Sequence, residues 1–296
     1  MIYDEKSLIV GSKNNCIYIS RLIVNDDNYN IEIIDHIILN NETILHSCLI
    51  DNDSIYILDS FNNNVLKYNN REFLDCNTGK DPRHICKYVD CLYITNFESD
   101  SVSIVEADSC NLVGTITVGV KPHDIIVNDK NAKLYIACYE ENEILEYDLT
   151  LGEKKYIYTN GKPMHLYINN NYLFVLAYLV NDETETEVSI INLCTYEVEK
   201  SYIIKEITTN FIYDKDTNNI FALAIESGII YRIDLTSNQI KKQIHLNGYL
   251  EDISVSNKYI YIANSDKKNI YILDKFSFKQ INIIQLDYSP LFIKSI

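Results

Sequence analysis

Short apolar runs, rich in isoleucine, tyrosine and valine, alternate along the whole chain with clusters of Asn, Asp, Ser and Gly. The stretch from Pro82 to Gly119, PRHICKYVDCLYITNFESDSVSIVEADSCNLVGTITVG, shows the pattern most clearly. It holds four such runs, each too short for a helix and each bounded by turn-forming residues. β-branched and aromatic side chains suit a pleated, half-buried surface. No segment carries a sustained helical stripe, so the pattern predicts four antiparallel strands per unit joined by tight turns.

The unit repeats. Its second strand recurs as LIV at Leu8, IYI at Ile55, LYI at Leu92 and Leu134, LFV at Leu173, IFA at Ile220 and IYI at Ile260. All four prolines fall at one point of a second phrase, Pro82 in GKDPRHI, Pro122 in GVKPHDI, Pro163 in GKPMHL and Pro290 in DYSPLFI. Their gaps of 40, 41 and 127 residues correspond to a period of about 42. Seven small twisted sheets, each apolar on both faces because its neighbours sandwich it, predict an all-β, seven-bladed β-propeller of four-stranded antiparallel blades. The first unit begins at its second strand, whereas Ser289 to Ile296 spell an unmatched first strand. The C-terminal strand is therefore expected to close the fold by pairing beside the N-terminal one, leaving no open edge there. The expected blades are 289–296 with 1–40, then 41–78, 79–118, 119–159, 160–205, 206–246 and 247–288, all within one domain, 1–296.

The third blade resembles the YVTN-type β-propeller repeat. LYITN (Leu92 to Asn96), SVSIVEADSCNLVGTITVG (Ser101 to Gly119) and KPHDIIV (Lys121 to Val127) carry that resemblance, and IYIAN and IYILD echo it in the seventh blade. The fit is strong over blades three and four, fair in five and seven, and weak in one, two and six. The resemblance implies the architecture. It leaves function open, since this repeat occurs in surface-layer components, in cytoplasmic binding proteins and in relatives of a lactone-hydrolysing family.

Residue content narrows the chemistry. No tryptophan is present, which excludes the WD signature and the tryptophan docking motif of quinone-dependent dehydrogenases. The Gly-Gly pairs of kelch repeats and the Asp-box of sialidases are also missing. A net charge of -16 repels phosphate backbones and anionic membranes, so neither nucleic acid nor a membrane is an expected partner. The acidic insertion Tyr178 to Glu187, YLVNDETETE, is expected to project as a solvated loop.

In the N-terminal MIYDEKSLIVG acidic residues stand where an export signal carries lysine or arginine, and its apolar run is far too short for one, so a cytoplasmic location is expected. The eight cysteines form no C-x-x-C pair. Cys48, Cys86, Cys91, Cys138 and Cys194 lie in or beside predicted strands, so the cysteines read as small buried residues in a reducing compartment. Asparagine is assigned to turns, and tyrosine rings to the space between sheets with the hydroxyl at the blade edge.

Candidate chemistry sits just before the apolar run of each first strand, where a propeller opens its channel. These positions carry His46 and Ser47, Arg83 and His84, His123 and Asp124, Met164 and His165, Thr209 and Asn210, Glu251 and Asp252, then Pro290. Four of the six histidines therefore enter at the channel mouth from consecutive blades. As a site, His46, His84, His123, Asp124, His165, Asn210, Glu251 and Asp252 are the ligand-binding candidates. His84, His165, Asp124 and Asp252 have the donor types for a divalent metal, and Arg83 can orient a carboxylate. As repeat residues, the same imidazoles can simply hydrogen-bond a neighbouring blade. Because side chains alternate along a strand, His84 and His165 are expected to point differently from His46 and His123.

No G-x-S-x-G elbow, Gly-rich phosphate loop or H-E-x-x-H motif appears. The expected function is a non-enzymatic scaffold or binding protein, a monomer that uses its channel face or rim to hold a protein or small ligand. No cofactor is required by this reading. The competing class is a lactonase-like hydrolase, metal-assisted or not, with His84, His165, Arg83 and Asp252 as its catalytic candidates.

Overall fold

A computed structural model describes residues 5–296 except 26, 27, 40, 53 and 181–183. Among the described residues the regular structure is strand apart from one short 3-10 turn at Tyr139–Glu141. No helix among the described residues is long and apolar enough to cross a membrane. Seven sheets of four antiparallel strands are present, each in simple sequential order except the first, where the C-terminal strand leads. The fold is the seven-bladed β-propeller that the repeat predicts.

The first blade combines Ser289–Ser295 with Glu5–Lys13, Cys16–Asn25 and Asn28–Ile38. The C-terminal strand pairs with Glu5–Lys13 from Ser7 opposite Ser295 to Ser12 opposite Ser289. The remaining first strands are Leu45–Asp51, Pro82–Tyr88, Pro122–Asn128, Lys162–Asn169, Thr208–Asp214 and Leu250–Val255, all within the predicted blade boundaries. Chain contacts gather into two compact units, residues 1–42 with 207–296, and residues 43–206. The first unit holds blades one, six and seven. The second holds blades two to five.

Each second strand is buried on both faces, as in Ser54–Asp59, Cys91–Asn96 and Asn219–Ala224. In the unit of residues 43–206, Tyr56, Leu58, Ile85, Leu92 and Ile94 share one apolar cluster, and Tyr93, Val102, Leu134 and Ile136 share the next. In the other unit, Ile9, Leu22, Tyr261, Ile270 and Ile293 pack together. Two buried tyrosines keep a polar partner: the Tyr56 hydroxyl donates to the Ala107 carbonyl at 3.1 Å and that of Tyr261 to Glu5 Oε2 at 3.2 Å. Two buried lysines also bridge blades. Lys67 Nζ donates to Ala107 O at 2.8 Å, and Lys275 Nζ to Asp214 Oδ1 at 3.2 Å and Asp216 Oδ2 at 2.9 Å.

The repeated phrase now has a physical meaning. Its glycine lies against the end of the second strand, so that a Cβ on Gly79 would sit 2.5 Å from Asn96 Cγ and one on Gly161 would collide with the Tyr178 carbonyl. Its proline opens the first strand, a place where the missing N–H costs no ladder bond. Among the described residues asparagine supplies ten of the twenty non-glycine positions with positive φ, in keeping with its assignment to turns.

Two expectations need correction. Cys76 and Cys110, 34 residues apart, form a disulfide with a Cα–Cα distance of 5.4 Å, so the eight cysteines are not uniformly free thiols. Their side chains meet because the fourth strand of blade two lies against the turn after the third strand of blade three, an adjacency without a sequence spacing to announce it. Cys16, Cys86, Cys91, Cys138 and Cys194 remain free thiols, Cys194 on the surface. The acidic insertion is also more ordered than a solvated loop. Tyr172–Val180 and Thr184–Asn192 extend as a hairpin with Val180 opposite Thr184, and Glu187 is buried against Asn160 and Ser201. Residues 181–183 of that insertion lie outside the described residues.

Candidate functional site

Every first strand contains a one-residue bulge at the candidate positions. In blade three Pro82 faces Asn96 and Ile85 faces Ile94, three residues against two, and in blade four Pro122 faces Cys138 and Ile125 faces Ile136. In blades two and five the irregularity falls between Leu45 and Ser47 and between Pro163 and His165. A bulge places an extra residue on one strand and re-aims its side chain. Strict alternation therefore fails at this point. The four histidines, expected to diverge in two pairs, instead converge.

Within residues 43–206 the ring centroids of His84 and His165 are 4.9 Å apart, of His84 and His123 5.1 Å, and of His123 and His165 5.2 Å. His46 joins them at 5.4 Å from His84 and 5.6 Å from His123. One ring nitrogen each of His84, His123 and His165 lies within 4.8 Å of the others. These three residues have the donor set and the spacing to hold a metal ion.

The surroundings fix the orientation of each ring. His84 Nδ1 lies 3.3 Å from Asp124 Oδ1, and His165 Nδ1 lies 3.6 Å from Asp124 Oδ2. His123 Nδ1 lies 2.9 Å from the Met164 carbonyl. Each Nδ1 thus faces an oxygen acceptor, which favours a proton there and leaves the Nε2 lone pair for a ligand. Asp124 is itself anchored, accepting the N–H of Ile125 at 2.7 Å and of Leu166 at 2.8 Å. Thr95 ties two histidine backbones together: its hydroxyl accepts the His84 N–H at 2.9 Å and donates to the His123 carbonyl at 2.8 Å.

His46 is built differently. Its Nδ1 donates to the Arg83 carbonyl at 3.1 Å, and its Nε2 accepts from Arg83 at 2.8 Å. Arg83 also holds Asp81 at 2.6 Å and lies over the Phe97 ring at 4.5 Å. Both nitrogens of His46 are occupied. Burial and the neighbouring guanidinium push its pKa down to about 3, and burial with the adjacent His84 drives that of His123 well below the usual value. Neutral imidazoles are the form that binds metals.

The other candidates lie in the unit of residues 1–42 and 207–296. Asp252 accepts the N–H groups of Ile253 and Ile293, each at 2.9 Å, and the Asn210 amide at 2.9 Å. Lys294 Nζ lies 3.5 Å from it. Glu251 accepts from Ser265, and burial raises its pKa. Asp252 is the repeat equivalent of Asp124, bridging blade seven to blade one as Asp124 bridges four to five. Asn210 fills the same place in blade six.

Asp81, Thr95, Phe97 and Tyr139 were not singled out from sequence. Phe97 packs 6.0 Å from His123 and 6.1 Å from Tyr139. A signal for the aromatics exists: Phe97 and Tyr139 directly follow the second strands Cys91–Asn96 and Lys133–Cys138, and Tyr178 holds the equivalent position within the longer strand Tyr172–Val180. A second group with metal-ligand types, Cys138, Glu141 and Glu143, is less suited. Burial raises the Cys138 thiol to about 12, and Glu141 accepts the Val120 N–H at 3.0 Å.

No protein-family model matches the chain, and no curated protein matches it in sequence. Solved structures do match. A functionally unknown protein from Desulfotomaculum acetoxidans DSM 771 gives a TM-score of 0.77 at 11% identity over 98% of each chain. A provisionally assigned 6-phosphogluconolactonase from Bacteroides fragilis NCTC 9343 gives 0.76 at 13% identity, covering 99% of this chain and 98% of that one. AztD of Citrobacter koseri gives 0.67 at 13% identity, covering 99% and 98%. At such identities the likeness is one of fold.

Proposed function

We propose that this chain is a non-enzymatic propeller binding protein, akin to proteins of the YVTN-type repeat, that takes a small ligand at the histidine cluster of blades two to five. One observation carries the reading: four imidazoles from four consecutive blades meet at bulged positions with centroid separations of 4.9 to 5.6 Å. The fold does not need histidine there. Leu291 and Phe292 fill the corresponding positions of blade one.

The polar groups beside the cluster are committed to positioning. Arg83 is held by Asp81 and His46, and Asp124 by two backbone N–H groups. Neither is poised as a mobile acid or base. Lactone hydrolysis draws its support from fold likeness to the Bacteroides fragilis protein alone. A monomer that avoids nucleic acid and membranes completes the proposal, and the net charge of -16 supports that avoidance.

Native mass spectrometry of the full chain isolated without chelators tests the reading. The expected result is an adduct of small mass that is absent from the His84→Ala/His165→Ala variant. An adduct held equally by both proteins would place the binding site elsewhere.

A further inference from the structure

We infer that His84, His123 and His165 form a three-histidine site for a borderline divalent cation of the zinc, cobalt or copper type, with Asp124 as its positioning carboxylate. The inference rests on reading the cluster as the binding site and names the ligand class. Nitrogen-only donors select such ions over magnesium or calcium, which require oxygen ligands.

The second layer of contacts is what a metal-binding histidine needs. A ligating imidazole nearly always gives its other N–H to a carboxylate or a carbonyl, which fixes the tautomer and raises the basicity of the ligand nitrogen. His123 has that partner in the Met164 carbonyl at 2.9 Å, and the Asp124 carboxylate stands beside the other two rings, 3.3 Å from His84 Nδ1 and 3.6 Å from His165 Nδ1. One carboxylate serving two rings from the blades on either side sets the two imidazoles against each other. Its own anchoring to Ile125 and Leu166 keeps it from rotating away.

The geometry is near closure. Three nitrogens about 2.0–2.1 Å from a tetrahedral ion stand closer together than the 4.8 Å limit within which these ligand atoms lie. Occupation of the site therefore requires the three rings to draw together. His46 is excluded from the ligand set because its Nε2 accepts from Arg83 at 2.8 Å. The site therefore has three protein ligands and a fourth position for water or an exchangeable group, the arrangement of open zinc sites.

Equilibrium dialysis of chelator-stripped full chain against zinc, followed by metal analysis, with cobalt(II) as a spectroscopic probe, tests the site. One equivalent of zinc is expected, with the visible absorption of a four-coordinate cobalt complex. His84→Ala/His165→Ala should lose stoichiometric binding, and Asp124→Asn should weaken it by about 10- to 100-fold. Cys138→Ser should leave binding unchanged, which separates this site from the Cys138, Glu141 and Glu143 group. Should the double variant not fold, His165→Gln serves, read by its altered cobalt spectrum. Zinc retained at full affinity by the histidine variants overturns the metal centre, as does a wild-type chain that binds neither zinc nor cobalt. In the latter case an organic adduct lost from the double variant leaves the binding site standing, and the lack of any adduct removes both.

Discussion

The carboxylate of Asp124 accepts the backbone N–H of Leu166 at 2.8 Å, tying the first strand of blade four to that of blade five. Asp252 repeats this on Ile293 at 2.9 Å, from blade seven to blade one. The two aspartates share a structural duty, but only Asp124 has histidines on both oxygens. Duty and site can be separated by comparing them.

Asp252→Ala leaves the buried N–H groups of Ile253 and Ile293 without their acceptor. Charge-assisted bonds of this kind contribute about 1.5–3 kcal/mol each before relaxation. A loss of about 3 kcal/mol in urea unfolding is expected, with zinc binding unaffected. A variant as stable as the parent would show that the inter-blade bond is dispensable.

Blade boundaries were legible in sequence because each blade is a local unit whose strands, turns and proline recur at a fixed period. The C-terminal strand was legible for the same reason, as a first strand with no second strand after it. Convergence of the histidines was not, since alternation is the only rule a short strand offers and the bulge at Pro82–Ile85 or Pro122–Ile125 suspends it. The aromatic series Phe97, Tyr139 and Tyr178 needed the blades to be laid over one another. Thr95 acts through a contact across blades that spacing does not encode, and Asp81 through its pairing with Arg83 in the same blade.

Removing residues 289–296 tests the closure of blade one. Ile293 is fully buried, and Gly11 packs so closely that a Cβ there would collide with the Ser289 carbonyl. The truncated chain exposes the full edge of Glu5–Lys13. Insolubility or a fall of about ten degrees or more in Tm is expected, taking the ~2 to 4 degrees per kcal/mol of larger domains as a guide. A truncated chain that melts with the parent would sink the closure.

The metal-free protein should lose stability on mild acidification. His46 and His123 are held below the ordinary imidazole value in the folded state, His46 at about 3. The unfolded chain therefore takes up protons first as pH falls through about 6.5. Stability is fully present above that value and declines by up to about 1.4 kcal/mol per pH unit for each of the two groups. Urea midpoints at pH 7.5, 6 and 5 measure it. The window lies above the carboxylates Asp148, Asp216, Asp266 and Asp274, whose values are lowered and whose contribution is lost only at lower pH. A midpoint that does not move between pH 7.5 and 5 would contradict the buried neutral histidines.

Val89 occupies the first place of the two-residue turn between Tyr88 and Cys91 with φ of 54°. A β-branched residue is strained there, because its Cβ crowds the following carbonyl. Asn52 and Asn170 take the same place in blades two and five with φ of 51° and 54°. The Val89 side chain is 68% exposed, so little burial is forfeited by replacing it. Val89→Asn should therefore stabilise the fold by about 1 kcal/mol, seen as a higher urea midpoint with an unchanged slope. A lower midpoint would mean that the turn relies on the valine for a contact worth more than the strain it relieves.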